Sequence, residues 1–156
     1  MPSFTSGTTG YVRSTSYSNL GEPLQLTLGT SSASKQTWLT YGYEAGTRRM
    51  NNVMVDREIV TGNDANVTYA YDSAGNILSI ADKPTTSGAK ADVQCFQYDY
   101  LRRLKEAWAQ GTDCAAAPSV AVLGGAAPYW QSFAYNAAER PYRGGQPPDD
   151  RRRMWT

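Results

Sequence analysis

The chain has 156 residues, enough for one ordinary domain with a real core, and its 15 basic and 14 acidic side chains leave a net charge of +1. That balance provides no broad basic field to draw in nucleic acid or an acidic membrane, so neither is expected as a partner. There is no histidine, which removes Ser-His-Asp and Cys-His catalysis, histidine zinc sites and imidazole pH switching together, and two cysteines cannot build a four-thiolate zinc site.

Apolar residues make up 40%, charged residues 19% and aromatics 12%, and with 14 Gly and 8 Pro the balance favours short strands joined by turns. No apolar run approaches the ~20 residues of a membrane-spanning helix. The opening MPSFTSGTTGYVRSTSYS has no basic-then-apolar signal peptide, and residues 1–10 are expected to be disordered.

From residue 11 onward one pattern returns: an aromatic, a spacer and a Tyr, followed at once by a short polar turn. A weak copy begins at Tyr17, and the clear ones are Tyr41-Gly42-Tyr43-Glu44, Tyr69-Ala70-Tyr71-Asp72, Phe96-Gln97-Tyr98-Asp99 and Phe133-Ala134-Tyr135-Asn136. The second Tyr recurs at 17, 43, 71, 98 and 135, in steps of 26, 28, 27 and 37. A recurrence of this size marks a repeat array, and it argues against chemistry at any single copy.

In chain order, SYSNLGEPLQLTLGT carries Gly21 at the turn and then alternates Leu24, Leu26 and Leu28. In YEAGTRRM the Gly comes one position early and Met50 one late, which a one-residue bulge would reconcile. The copy from Val67 to Ala81 is the clearest. Val67, Tyr69 and Tyr71 alternate with Thr68 and Ala70, the period of a half-buried strand. Asp72 suits the first position of a type I turn, and Gly75 the left-handed residue of a three-residue hairpin loop. On that register Tyr71 faces Ile77.

The next copy keeps the frame, with Phe96 and Tyr98 on one face and Leu104 in the place of Ile77, but Arg102 replaces the Gly, so a different or strained turn is expected. A helix over Leu101 to Ala109 is the competing reading; the hairpin is preferred because its neighbour reads clearly as strands. Between copies, DKPTTSGAKAD (82–92) fits a return loop. Segment 111–128 lengthens the last step and reads either as a short strand near Val120 to Leu123 or as a structureless insertion.

After Tyr135 the register is expected to fail. Gly is missing near Glu139, Pro141 stands where an aliphatic is wanted, and ERPYRGGQPPDDRRRMWT holds three Pro and alternating charge. Residues 141–156 therefore read as a polar tail, either naturally disordered or out of register through a shift of reading frame near residue 139. The basic run Arg151-Arg152-Arg153 follows Asp149-Asp150 and reads as a solvated face.

The repeated residues resemble the YD repeat of the Rhs family, roughly Tyr-Asp-x-x-Gly-Arg/Asn-Leu after an aromatic-x pair. YDSAGNIL (71–78) matches nearly completely, YDYLRRL (98–104) all but the Gly, and YEAGTRRM (43–50) and YNAAER (135–140) more loosely. The resemblance covers about residues 11–140. It implies an all-β array of four to five antiparallel hairpins in a curved, spiralling sheet, part of an open shell. In bacterial Rhs proteins and Tc toxins such a sheet encloses a toxic segment; in teneurins a similar shell belongs to an adhesion receptor.

On this resemblance the chain is a non-catalytic scaffold, secreted or at the cell surface, with further repeats and an enclosed toxin segment as partners and with no cofactor or metal. The family's self-cleaving acids lie in a downstream core with no counterpart here. Asp72 and Asp99 match only the turn position, and the motif residues Tyr43, Tyr69, Tyr71, Gly75, Phe96, Tyr98, Leu104, Phe133 and Tyr135 read as structural.

In an exported shell Cys95 and Cys114, which flank the third clear copy, would close a disulfide worth about 2–4 kcal/mol; in a reduced setting they would be two separate thiols. The motif Tyr residues are expected to pack with their hydroxyls near solvent. Trp38, Trp108 and Trp130 lie outside the repeated positions. Core packing is the stronger reading for them, and stacking on a sugar, in a surface carbohydrate-binding or adhesion module, is the alternative.

Overall fold

The alternation seen in the sequence becomes a meander of strands. The computed structural model describes residues 5–6, 9–29, 35–135 and 141–142. Its strands are β1 (Thr5–Ser6), β2 (Thr9–Gly10), β3 (Val12–Tyr17), β4 (Pro23–Leu28), β5 (Thr37–Tyr43), β6 (Met50–Arg57), β7 (Asn63–Tyr71), β8 (Ile77–Asp82), β9 (Asp92–Tyr98), β10 (Leu104–Gln110), β11 (Trp130–Ser132), β12 (Ala134–Tyr135) and β13 (Pro141–Tyr142). β3 to β11 form one nine-stranded antiparallel sheet in strict chain order, and the sheet is not closed. Each strand thus pairs with its sequence neighbours, as consecutive hairpins require. The Leu101 to Ala109 segment is strand from Leu104 on, so the hairpin reading holds over the helical one.

Residues opposite one another in an antiparallel pair project to the same face. On one face, Leu26, Leu39, Val55 and Ala65 form one row across β4 to β7, and Tyr41, Val53 and Val67 form the next. The other face carries Thr27, Trp38 and Asp56 in one row and Gln25, Thr40, Met54 and Asn66 in the next. Both faces over β3 to β8 are half-buried or exposed. This part of the sheet is a single layer.

The buried core lies at the other end, on β9 and β10. Among the described residues it consists of Val93, Cys95, Ala107, Trp108 and Ala109, with Gln110 as the one buried polar side chain. Ala81, Cys114, Leu123 and Trp130 pack against Val93, Cys95 and Trp108. The covering layer is the 111–128 insertion. It is neither a strand nor an idle loop: it contains one 3₁₀ turn, Val120–Val122, and returns to the sheet where the Gly124 N–H donates to the Ala109 carbonyl at 3.2 Å.

A disulfide joins Cys95 to Cys114, with Cα atoms 5.6 Å apart, and ties the insertion down at its start. At its far end Gly125 has φ +88°, and a Cβ there would lie 2.7 Å from Asp92 Oδ1 and 3.0 Å from the Gln110 carbonyl. Only glycine lets the chain cross the strand ends this closely.

Short pairings are present at both termini. Within the N-terminal segment expected to be disordered, Thr5–Ser6 pairs antiparallel with Thr9–Gly10. Beyond Tyr135, Pro141 lies opposite Tyr135 and Tyr142 opposite Ala134, as a two-stranded sheet separate from the large one and without the shifted register of the earlier hairpins. Proline fits here because Pro23 occupies the same place opposite Tyr17, so the position never needed an aliphatic side chain or an N–H. Residues 143–156, the rest of the expected tail, lie outside the described residues.

If the insertion supplies the missing layer, unpinning it weakens the domain. Cys114→Ser should lower the unfolding free energy by about 2–4 kcal/mol, measured by urea denaturation against the oxidised parent. Equal stability would show that the insertion contributes nothing to the core.

Candidate functional site

The repeated side chains build two devices, a turn and a hook. In the turn after β7, Asp72 Oδ1 accepts from the N–H groups of Ala74 (2.9 Å) and Asn76 (2.8 Å), while Oδ2 accepts from Asn76 Nδ2 (2.7 Å). The Gly75 N–H donates to the Asp72 carbonyl at 3.1 Å, and Gly75 takes φ +96°. Hydrogen bonds led by that from the Asn76 side chain hold the Asp72 carboxyl below its ordinary pKa of 3.8.

The turn after β9 repeats this arrangement. Asp99 Oδ1 accepts from the Leu101 and Arg103 N–H groups, both at 2.9 Å, and Arg103 Nε donates to Oδ2 at 2.7 Å. Of the two expectations at Arg102, a different turn or a strained one, the second holds: the same turn forms, with Arg102 itself left-handed at φ 62°. The carboxylate bonds on either side outweigh a backbone cost of about 1–2 kcal/mol. Ser18 does the same job after β3 with its hydroxyl oxygen, which accepts from the Leu20 and Glu22 N–H groups at 3.2 and 3.3 Å.

The turn after β5 is one residue longer. The Glu44 N–H donates to the Arg49 carbonyl at 2.8 Å, the Arg48 N–H donates to the Glu44 carbonyl at 3.0 Å, and Arg48 at φ 61°, not Gly46, is left-handed. The displaced Gly seen in the sequence therefore reflects a longer turn. A bulge is also present, but all four of these hairpins share it.

That bulge makes the hook. Tyr17 faces Pro23 but Ser16 faces Gln25, so Leu24 is extra; Asn51, Leu78 and Lys105 are extra in the same way beside Tyr43, Tyr71 and Tyr98. The next ladder accordingly begins only at Gln25, Asn52, Ser79 and Glu106, two residues into each returning strand. The carbonyl of each strand's first residue is left outside that ladder, and a tyrosine of the following hairpin takes it. Tyr43 Oη donates to the Pro23 carbonyl (2.9 Å), Tyr71 to Met50 (2.6 Å), Tyr98 to Ile77 (2.9 Å) and Tyr135 to Leu104 (2.8 Å).

The hydroxyls expected near solvent are thus the links between hairpins. Burial raises the Tyr43 and Tyr98 pKa values above the usual tyrosine value. Two arginines add to the link. The Arg49 guanidinium lies 4.6 Å from the Tyr71 ring centroid and donates to the Asp72 carbonyl at 3.3 Å, and Arg103 lies 4.4 Å from the Tyr135 ring. Sequence reasoning missed these arginines. Their signal was their place directly before Met50 and Leu104, the position that Asn76 fills before Ile77.

The other named residues fall into distinct places. Tyr69 and Phe96 lie across from Ile80 and Ala107 on the apolar face. Phe133 interrupts the last strand, where its N–H donates to the Lys105 carbonyl at 2.8 Å. Trp108 is 2% exposed, so it cannot stack on a sugar; Trp130 lies opposite it and packs on the same cluster. Trp38 is the exception. It lines a shallow depression on the polar face with Gln25, Thr40, Met54 and Asp56. Among the described residues no group of three or more His, Cys, Asp or Glu could hold a metal ion.

No protein-family model matches the chain, and no curated protein does. Its fold is similar to that of a chain in the crystal structure of TcdB2-TccC3-Cdc42, with a TM-score of 0.57 and 20% sequence identity. The similarity covers 81% of this chain but 6% of that one, so this chain corresponds to a small part of a far longer polypeptide.

Removing one hook hydroxyl by Tyr98→Phe should cost about 0.5–1.5 kcal/mol in urea unfolding, while Tyr100→Phe, at a ring 90% exposed, should cost nothing measurable. Because the folded state raises the Tyr98 pKa, the stability from this group is fully present below the unfolded value of 10.0 and is lost as pH rises through the folded value. Tyr98→Phe should remove part of that alkaline loss; an unchanged profile would sink the assignment. Asp72 has the opposite sign. Its contribution is fully present above 3.8 and is lost as pH falls through the lowered folded value, so Asp72→Ala should flatten the acid limb of the unfolding profile.

Proposed function

We propose that this chain is a non-catalytic segment of an Rhs-type YD-repeat shell, a scaffold that encloses or presents a toxin or effector at or beyond the cell surface. The observation that carries this reading is the hook: four tyrosines join successive hairpins in one direction, which serves a long spiralling wall. The fold likeness to a chain of TcdB2-TccC3-Cdc42 supports it. The Asp72 and Asp99 carboxylates are bound within their own turns, which fits a scaffold with no chemistry of its own. Its partners are then further YD repeats of a parent chain and an enclosed segment. The test is the coding sequence on either side: in-register repeats and an effector segment are expected, and flanks with neither would remove the proposal.

A second reading, a carbohydrate contact, is favoured at one place. Trp38 is partly buried and lines the depression with Gln25 and Asp56, whose amide and carboxylate are groups that bind sugar hydroxyls. Glycan-array binding that Trp38→Ala abolishes without altering the unfolding midpoint would support it. Absence of binding by the parent chain would end it.

A further inference from the structure

The insertion between β10 and β11 covers the core, yet little fastens it there. Among the described residues, the hydrogen bonds made within 112–123 turn back on the segment itself: the Val122 N–H on the Ser119 carbonyl and the Ala115 N–H on the Asp113 carboxylate. Cys114 Sγ approaches the Gln94 carbonyl at 3.8 Å and Cys95 Sγ the Asp113 carbonyl at 4.0 Å, but a disulfide sulfur carries no proton to donate. What holds the segment is the Cys95–Cys114 bond, the packing of Leu123 on the core cluster, and the Gly124 N–H at its far end.

Closing this cap also strands polar atoms beneath it. The indole N–H groups of Trp108 and Trp130 and Oδ1 of Asp92 are buried without a partner among the described residues. Asp92 Oδ1 lies 2.7 Å from where a Cβ on Gly125 would stand, at the far end of the insertion. Each such group costs about 1–3 kcal/mol while it stays dry, and water reaches it when the cap lifts. Apolar packing favours the closed cap, and these groups oppose it.

The two sulfur atoms are unequal. Cys95 is 0% exposed, whereas Cys114 is partly exposed and stands among the exposed Thr112, Asp113, Ala115 and Ala116. An external thiolate therefore reaches Cys114, and the sulfur that leaves is Cys95. Gln110, the one buried polar side chain among the described residues, donates from Nε2 to Cys95 Sγ at 3.3 Å. A donor on the departing sulfur steadies the charge it acquires and speeds the exchange.

We propose that Cys95–Cys114 is a reducible latch on the insertion, opened at Cys114 by a small dithiol. A thiolate of the dithiol attacks Cys114 Sγ, the Cys95–Cys114 bond breaks, and its electron pair leaves on Cys95 against the Gln110 amide. The second thiolate of the reductant then attacks the reductant's own sulfur in the mixed disulfide and releases Cys114. The dithiol is oxidised to a cyclic disulfide, and the protons from its thiols end on Cys95 and Cys114. The cap lifts and uncovers Val93 and Trp108, while the strand ladder and the tyrosine hooks keep the rest of the sheet folded. The latch stands on the insertion and its ties, and not on the shell reading.

The full oxidised chain, treated with cysteamine and quenched in acid, should carry the mixed disulfide on Cys114; an adduct on Cys95 would overturn the order of attack. After reduction with dithiothreitol, iodoacetamide should label Cys95 at a rate insensitive to low urea, as a local opening requires, while the amides of β6 and β7 exchange with the urea dependence of global unfolding. Cys95 labelling that follows global unfolding, or labelling of Cys114 alone, would show that the cap does not lift. Gln110→Met, with circular dichroism matching the parent, should slow reduction by dithiothreitol about fivefold. A Gln110 that merely packs predicts the opposite sign, because a loosened core exposes the disulfide. Reduction as fast as in the parent, or faster, would remove Gln110 from the latch.

Discussion

A tyrosine hydroxyl bound to a carbonyl outside the ladder is the contact on which this array depends. A single-layer sheet has little core to hold its strands in register, and a ladder of backbone bonds alone tolerates slippage. The bulge beside each tyrosine releases one carbonyl, and the next tyrosine along the chain takes it. The hook therefore counts residues. The acceptors Pro23, Met50, Ile77 and Leu104 stand 27 apart at every step, although the tyrosines themselves do not. Where the turn after Tyr43 is one residue longer, the run from Pro23 to Tyr43 is one shorter than its counterparts, and the returning strands stay in phase.

The turns serve the same end by interchangeable chemistry. An Asp carboxylate, or a Ser hydroxyl oxygen, holds the two N–H groups that a tight reversal exposes. Once these are held, the left-handed position accepts Arg102 as well as Gly75. The arginines that precede Met50 and Leu104 then extend from one turn to the aromatic ring of the next, so the turn, ring and hook of adjacent hairpins stabilise one another.

At β9 and β10 the architecture changes from a single layer to a small core. The insertion that lengthens the last repeat step covers Val93, Cys95 and Trp108, and the disulfide anchors it where the sheet face is most apolar. One end of the array thus has a small covered core, while at the other end, among the described residues, β3 closes the strand order of the sheet.

The sequence by itself determined the all-β class, the hairpin register around Tyr71 and Ile77, and the role of Asp72 and Gly75, because alternation and turn chemistry act over a few residues. It also made the Cys95–Cys114 pairing one of two open readings. What only the tertiary structure decided were the tyrosine hooks and the arginines over the rings, which join residues twenty or more apart, and the burial of Trp108 beneath the insertion. Apart from the arginines, whose place directly before Met50 and Leu104 recurs, none of them has a local signature. A hydroxyl's partner depends on which carbonyl the neighbouring hairpin leaves unpaired, and that is set by a bulge whose extra residue, Leu24, Asn51, Leu78 or Lys105, ranges from apolar to amide to charged.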